Sequence, residues 1–271
     1  ILKRQQGEAM KYISLSSGSC GNCHYITGRD TKIVIDAGIS GKRAIEHLAM
    51  HGQSMDGRDA ILVTHEHIDH IQAVGILSRK FNAPVYATEK TWEHMKRHVG
   101  KIKEENVRVF RRGETLGIKN IEVGTFEISH DAVEPVGYTL TQGNQKISVV
   151  TDIGHVSDEV FRNIKGSDIA VIESNYDPHM LNYCSYPYPL KQRIRSETGH
   201  LSNEEAGYLG AALIKSGTRK LLLAHLSKES NLPQLAFQTV ASILSQQDIG
   251  PEDAGLDVML RGRVSKIYSI E

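Results

Sequence analysis

Residues 62–70 read Leu62-Val63-Thr64-His65-Glu66-His67-Ile68-Asp69-His70, so His65, His67, Asp69 and His70 place four potential metal ligands within six positions. An apolar strand is expected to end at Thr64. His65 and His67 are two apart in an extended segment, so both imidazoles point to one side. Asp69 and His70 follow after a turn into a helix, where they can face a second ion beside the first. A solvated polar loop would need this ligand density by coincidence directly after a buried strand. A one-ion H-E-x-x-H helix is excluded, because the fourth residue after His65 is Asp69.

Six residues cannot close two coordination shells. Three further donors stand in equivalent places, each just past the carboxyl end of an apolar run: His130, Asp152 and His225. Neutral imidazoles fill terminal positions on a cation, and a carboxylate can bridge two. The seven ligands suffice for two divalent ions roughly 3.5–4 Å apart in a hydrolytic centre. Zinc is the favoured metal and manganese the alternative, since His and Asp suit both.

The elements that position these residues are short β-rich runs alternating with helical stretches. Strands are expected at 12–15, 24–26, 32–35, 60–63, 85–87, 107–110, 121–129, 137–141, 146–150, 169–172, 220–224 and 264–270. Helices are expected at 42–50, 71–80, 90–99, 157–163, 202–216 and 233–247. Ser202 followed by Glu205 is a capping box, and Gly217 ends that helix. Gly143-Asn144 marks a hairpin. The stretch 177–196, with Pro178, Pro187, Pro189 and several tyrosines, reads as a surface excursion over an active site. The pattern predicts an α/β chain of two mostly antiparallel sheets with helices outside, in one domain over 10–271. Residues 1–9 are expected to be a tag remnant or a disordered end.

Composition narrows the classes. The 271 residues carry 32 Lys+Arg and 32 Asp+Glu, which excludes a uniformly basic nucleic-acid coat and an acidic disordered tail. No apolar run of about 18 residues exists, so no membrane helix is expected. Three cysteines without a secretion signal point to the cytoplasm. Cys20 and Cys23 form a lone C-x-x-C and read as packing or loop residues. The histidines at 24, 47, 51, 94, 98, 155 and 179 lack strand-end partners and read as surface or structural.

The succession H-x-H-x-D-H (His65 to His70), His130, Asp152 and His225 resembles the metallo-β-lactamase superfamily, over the chain from about Met10 onward. The resemblance implies an αββα sandwich with the metals at one edge. Asp36, in Ile33-Val34-Ile35-Asp36, matches the family's first motif, where the acid supports ligands from behind rather than binding metal. Enzymes with a cysteine ligand after the third motif are disfavoured, because Asp152 stands there. Ile172-Glu173-Ser174-Asn175-Tyr176-Asp177 resembles the acidic motif of RNase Z and β-CASP nucleases. Gly199-His200-Leu201-Ser202 resembles their next motif, whose His and Ser meet a phosphate. The chain has no room for a β-CASP cap, so the branch it resembles is the compact YycJ (WalJ)-like group. Leu15-Ser16-Ser17-Gly18-Ser19-Cys20-Gly21-Asn22 is similar to that group's signature loop.

That resemblance implies a nucleic-acid phosphodiesterase, a DNA exonuclease of 5′ to 3′ polarity, with DNA favoured over RNA and no membrane or protein partner inferred. Two ions would yield a bridging hydroxide at neutral pH that attacks phosphorus in line. Asp69 could accept its proton, and His200, oriented by Glu173, could protonate the leaving oxygen. Ser17, Ser19, Asn175 and Ser202 are the phosphate-binding candidates, with the Ser17–Gly21 turn able to present backbone N–H groups to an anion. Residues 79–112 hold ten basic side chains against four acidic ones, a local excess that suits a polyanion. The alternative functions are a small-molecule hydrolase acting on a thioester or a nucleotide phosphodiester, and a non-catalytic metal-bound module.

Overall fold

The first three strands alternate apolar side chains between two faces, and each face meets a different layer. The computed structural model describes residues 9–54, 56, 57 and 59–270; the expected loose end thus lies, but for Ala9, outside the described residues. Strands β1 (Lys11–Ser16), β2 (Cys23–Thr27) and β3 (Lys32–Ile35) form an antiparallel meander. Tyr12, Ile26, Ile33 and Ile35 face inward to a core shared with the second sheet. Ile13, Leu15, Tyr25 and Val34 face outward, where helices cover them. Each such buried aliphatic side chain contributes about 1.5–3 kcal/mol.

Beyond β3 the chain winds through α1 (Gly41–Ala49), β4 (Ala60–Leu62), α2 (Ile68–Ile71), α3 (Val74–Phe81), β5 (Val85–Thr88), α4 (Glu89–Val99) and β6 (Val107–Phe110). The second sheet begins with the meander β7 (Thr115–Ile118), β8 (Ile121–Glu127), β9 (Val136–Gln142) and β10 (Gln145–Val150). It continues through α5 (Asp158–Ile164), β11 (Ile169–Glu173), α6 (Pro178–Tyr183), α7 (Tyr188–Arg195), α8 (Asn203–Lys215), β12 (Lys220–Ala224), α9 (Pro233–Gln246) and β13 (Gly255–Val258). Finally β14 (Tyr268–Ser269) returns to pair with β1. The strand orders are β14-β1-β2-β3-β4-β5-β6 and β13-β12-β11-β10-β9-β8-β7. Helices pack on both outer faces, giving an αββα sandwich.

The sheets are mixed, not mostly antiparallel as the pattern predicted. From β3 to β6 and from β10 to β13 every neighbouring pair is parallel. A parallel pair needs a crossover connection, and these stretches supply one between successive strands, through at least one helix in every case. Two edge strands, β7 and β13, escape the pattern because each is four residues long and contains glycine. The expected helix at 71–80 is two helices, α2 and α3. The excursion after β11 is not irregular: α6 and α7 begin with Pro178 and Pro189 in their first turns, where proline starts a helix rather than breaking it.

Parallel strands all run toward one edge, so their carboxyl ends collect there. Open α/β sheets place ligands at that end. Asp36 follows β3, the histidine cluster follows β4, Asp152 follows β10, Glu173 closes β11 and His225 follows β12.

Candidate metal centre

Three residues at these strand ends leave the extended conformation in an unusual way. Asp36, Asp152 and His225 have φ of 57°, 57° and 55°. A side-chain-bearing residue in this left-handed region costs of order 1–3 kcal/mol, and such strain concentrates at functional sites. Here the turn swings each chain out of its sheet at the shared edge.

The side chains meet as two groups around one carboxylate. His65 Nε2 lies 3.0 Å from His67 Nδ1, which lies 3.3 Å from His130 Nε2. On the other side, Asp69 Oδ2 is 3.6 Å from His70 Nε2 and 3.8 Å from His225 Nε2. Asp152 stands between: Oδ2 is 3.2 Å from His70 Nε2, while Oδ1 is 3.3 Å from His225 Nε2 and 3.8 Å from His130 Nε2. The residues of each group, His65/His67/His130 and Asp69/His70/His225, can offer ligand atoms within 4.8 Å of one another. All seven predicted ligands are thus brought together.

The donor set fits cations. Asp152 Oδ2 and His225 Nε2 are buried and make no hydrogen bond. Most buried polar atoms in folded proteins find a hydrogen-bond partner, and leaving ligand-type atoms bare is costly. Several of these histidines also have their second ring nitrogen engaged outside the centre. His70 Nδ1 donates to Asp36 Oδ2 at 2.7 Å, His225 Nδ1 to Glu173 Oε1 at 2.6 Å, and His130 Nδ1 to the Gly199 carbonyl at 3.3 Å. Each bond fixes a tautomer that leaves Nε2 for a metal. Thr64 clamps Asp36 in turn, through its backbone N–H at 2.9 Å and its hydroxyl at 2.8 Å.

Charge follows the same geometry. Burial alone would push the His225 imidazole down, but Asp152, Asp69 and Glu173 outweigh it and raise it to about 10. His70 is likewise held well above its ordinary value against burial, by Asp152, Asp36 and Asp69. Asp152, which burial would raise, is held well below the carboxylate range by His225 and His70. Protons and divalent ions therefore compete for one negative, imidazole-rich pocket.

Glu173 links the centre to its mouth. Its Oε1 accepts from His225 Nδ1 at 2.6 Å and from His200 Nδ1 at 2.9 Å; its Oε2 accepts the backbone N–H groups of Ile153 and Leu201. Burial would raise this carboxyl, but His200 and His225 bring it down to about 2. The His200 side chain is 15% exposed, and its ring lies 5.4 Å from that of His130.

A family model described as a β-lactamase superfamily domain matches residues 31–226. The chain belongs to the β-lactamase superfamily. It is 40% identical over 242 residues to a protein of Streptococcus pneumoniae named exodeoxyribonuclease WalJ, covering 89% of this chain and 90% of that one. It is 41% identical over 241 residues to the exodeoxyribonuclease YycJ of Bacillus anthracis, covering 89% and 91%. The metallo-β-lactamase fold protein YhfI of Bacillus subtilis superposes with a TM-score of 0.72 at 16% identity, over 97% of this chain and all of that one. This superfamily fold implies divalent metal ions, and the His/Asp groups above are the candidate holders.

The four phosphate-binding candidates fare unevenly. Ser17 Oγ accepts the His225 N–H at 2.8 Å, and Asn175 Nδ2 donates to the His225 carbonyl at 2.8 Å, so both brace His225. Ser202 spends its hydroxyl on the capping box with Glu205. Ser19 is exposed on the loop. Within the basic stretch, Arg79 donates to the Val99 and Lys101 carbonyls and Arg112 pairs with Glu127 at 2.6 Å. Sequence reasoning counted Arg193 only as one of a short basic run with Lys191 and Arg195; in the fold its guanidinium forks onto Asp131 beside His130. It also placed His24 among surface or structural residues. His24 is fully buried, bonded through Nδ1 to Tyr12 Oη at 2.7 Å, and pushed down to about 3 by burial and by His70 and His225. Its spacing from Ile26 on one strand face was the available signal.

A close backbone approach packs the turn after β3 against Asp69 and His70. A Cβ on Gly38 would fall 1.5 Å from the Asp69 carbonyl oxygen. Gly38→Ala is expected to lower stability by about 3 kcal/mol, because backbone must move to admit the methyl group. It should also reduce metal content by displacing Asp69. Urea denaturation and metal analysis check this; an unchanged midpoint with full metal would refute the packing argument.

Proposed function

We propose that this chain is a metal-dependent DNA exonuclease. The observation that carries this reading is Glu173 Oε1, which holds His225 within the ligand cluster and His200 at its mouth. A hydrolytic centre and a proton donor are thereby set on one carboxylate. The substrate class is supported by the relatives named exodeoxyribonucleases, which match over about nine-tenths of both chains. Residues 10–271 act as one metallo-β-lactamase-fold domain in this reading.

His65, His67 and His130 would hold one ion, Asp69, His70 and His225 the other, and Asp152 would serve both. When bound, the ions supply an activated water and neutralise charge on the phosphate oxygens. Asp36 and Glu173 keep the His70 and His225 rings aimed. Asp69 accepts the proton of the attacking water. His200 keeps its Nδ1–H on Glu173, and its other nitrogen delivers a proton to the leaving oxygen. Zinc is the proposed metal, the polarity 5′ to 3′ and the compartment the cytoplasm. The three unpaired cysteines suit a reducing environment. No helix among the described residues is long and apolar enough to cross a membrane.

The test incubates zinc- or manganese-loaded protein with duplex and single-stranded DNA labelled at either end, RNA, and a lactoyl thioester. Mononucleotides are expected from DNA 5′ ends, and their release is expected to stop on chelation and resume on metal return. Thioester hydrolysis without DNA cleavage would overturn the reading in favour of a small-molecule hydrolase.

A further inference from the structure

Asn22 closes the small-residue loop between β1 and β2 and has no exposed surface. Its Oδ1 accepts the Gly18 N–H at 2.9 Å, which settles the orientation of the amide. The Nδ2 end therefore faces the centre, 3.0 Å from His70 Nε2. The backbone of Asn22 is fastened as well: its N–H donates to the Asp69 carbonyl and its carbonyl accepts the Gly38 N–H, both at 2.8 Å.

His70 gives its Nδ1–H to Asp36, so Nε2 is the nitrogen it offers inward. Once that lone pair is taken, by a cation or by a proton, the Asn22 N–H has no acceptor on His70. A buried amide donor left unpaired is unfavourable, so an oxygen arriving at the centre is its natural partner. Part of the loop's backbone is committed elsewhere. The N–H groups of Ser17, Gly18 and Gly21 are already accepted by the Leu260 carbonyl, Asn22 Oδ1 and the Gly18 carbonyl.

We propose that Asn22 Nδ2 is a catalytic hydrogen-bond donor to a non-bridging oxygen of the substrate phosphate. A neutral amide on the side of the Asp69/His70/His225 group would orient the phosphate and stabilise charge building on it, without adding a titrating group. This assignment rests on reading the centre as a phosphodiesterase site.

Asn22→Asp keeps the size and the acceptor for Gly18 but removes the donor; Asn22→Ala removes both. Metal content is measured for each purified variant, inorganic phosphate binding to the metal-loaded protein by calorimetry, and turnover on DNA ends. Both variants are expected to keep the wild-type metal stoichiometry and to bind phosphate about 10-fold more weakly, as loss of one hydrogen bond predicts. Wild-type phosphate affinity in either folded variant overturns the assignment. So does full turnover in Asn22→Asp beside a defective Asn22→Ala, because bracing the loop would then be the whole role. A wild type that binds phosphate but leaves DNA intact refutes the nuclease reading, while the phosphate comparison still judges Asn22.

Discussion

Asp152→Ala is expected to empty the metal centre and lower turnover on DNA ends by about 10³-fold or more. Among the described residues, Asp152 is the one carboxylate whose oxygens approach His70, His225 and His130 together, at 3.2, 3.3 and 3.8 Å. It is buried, and its Oδ2 has no hydrogen-bond partner. Deleting a buried charge that compensates others costs about 3–5 kcal/mol, which at 1.4 kcal/mol per tenfold corresponds to roughly 10² to a few times 10³ in metal affinity. Turnover falls further, because both ligand groups lose their shared member. Asp152→Asn separates charge from shape: an amide fills the same space but cannot bridge two cations as well as a carboxylate. It is expected to retain fold and some metal, with turnover still far below wild type. Metal analysis beside turnover is the measurement. Two ions per chain and full activity in Asp152→Ala would sink the bridging role.

The seven candidate ligands were legible because each stands in a local signal. His65 to His70 is contiguous, and His130, Asp152 and His225 each follow an apolar run whose end is plain. Their convergence could be read only as far as strand ends collect in α/β folds. The left-handed turns at Asp36, Asp152 and His225 were not legible, since Asp and His tolerate that region without requiring it. Strand direction was missed for a related reason. Period-two alternation is the same in parallel and antiparallel strands, and only the chain path between them decides.

Side chains whose roles depend on distant partners were the hardest to place. Ser17 reads as a phosphate donor in its glycine-rich loop, yet its hydroxyl props His225, 208 residues away. Ser202 carries both a local and a distant reading, and the local capping box takes its hydroxyl. Pro178 and Pro189 punctuate an excursion by sequence, whereas in the fold they open helices that pack through Leu181 and Ile194. The Ile194 carbonyl then accepts the His200 N–H at 2.9 Å, so the excursion helps to seat the residue at the mouth.

His200→Ala is expected to cut kcat by about 10²–10⁴-fold while metal content stays at the wild-type value. His200 is not among the seven candidate ligands; Glu173 Oε1 holds its Nδ1 at 2.9 Å, which leaves the other nitrogen to carry a proton. Glu173→Gln should behave differently, because the same oxygen also holds His225 at 2.6 Å. Its loss should therefore lower metal affinity as well as kcat, by about 10–100-fold for the metal. A change of leaving group separates proton donation from mere packing. An alkoxide leaves a phosphodiester poorly without a proton, whereas p-nitrophenolate leaves well without one. With thymidine 5′-p-nitrophenyl phosphate, the His200→Ala defect should shrink toward unity, while the Asp152→Ala defect persists. An equal His200→Ala defect on both substrates would place the residue in positioning, and wild-type kcat on DNA ends would remove it from the mechanism.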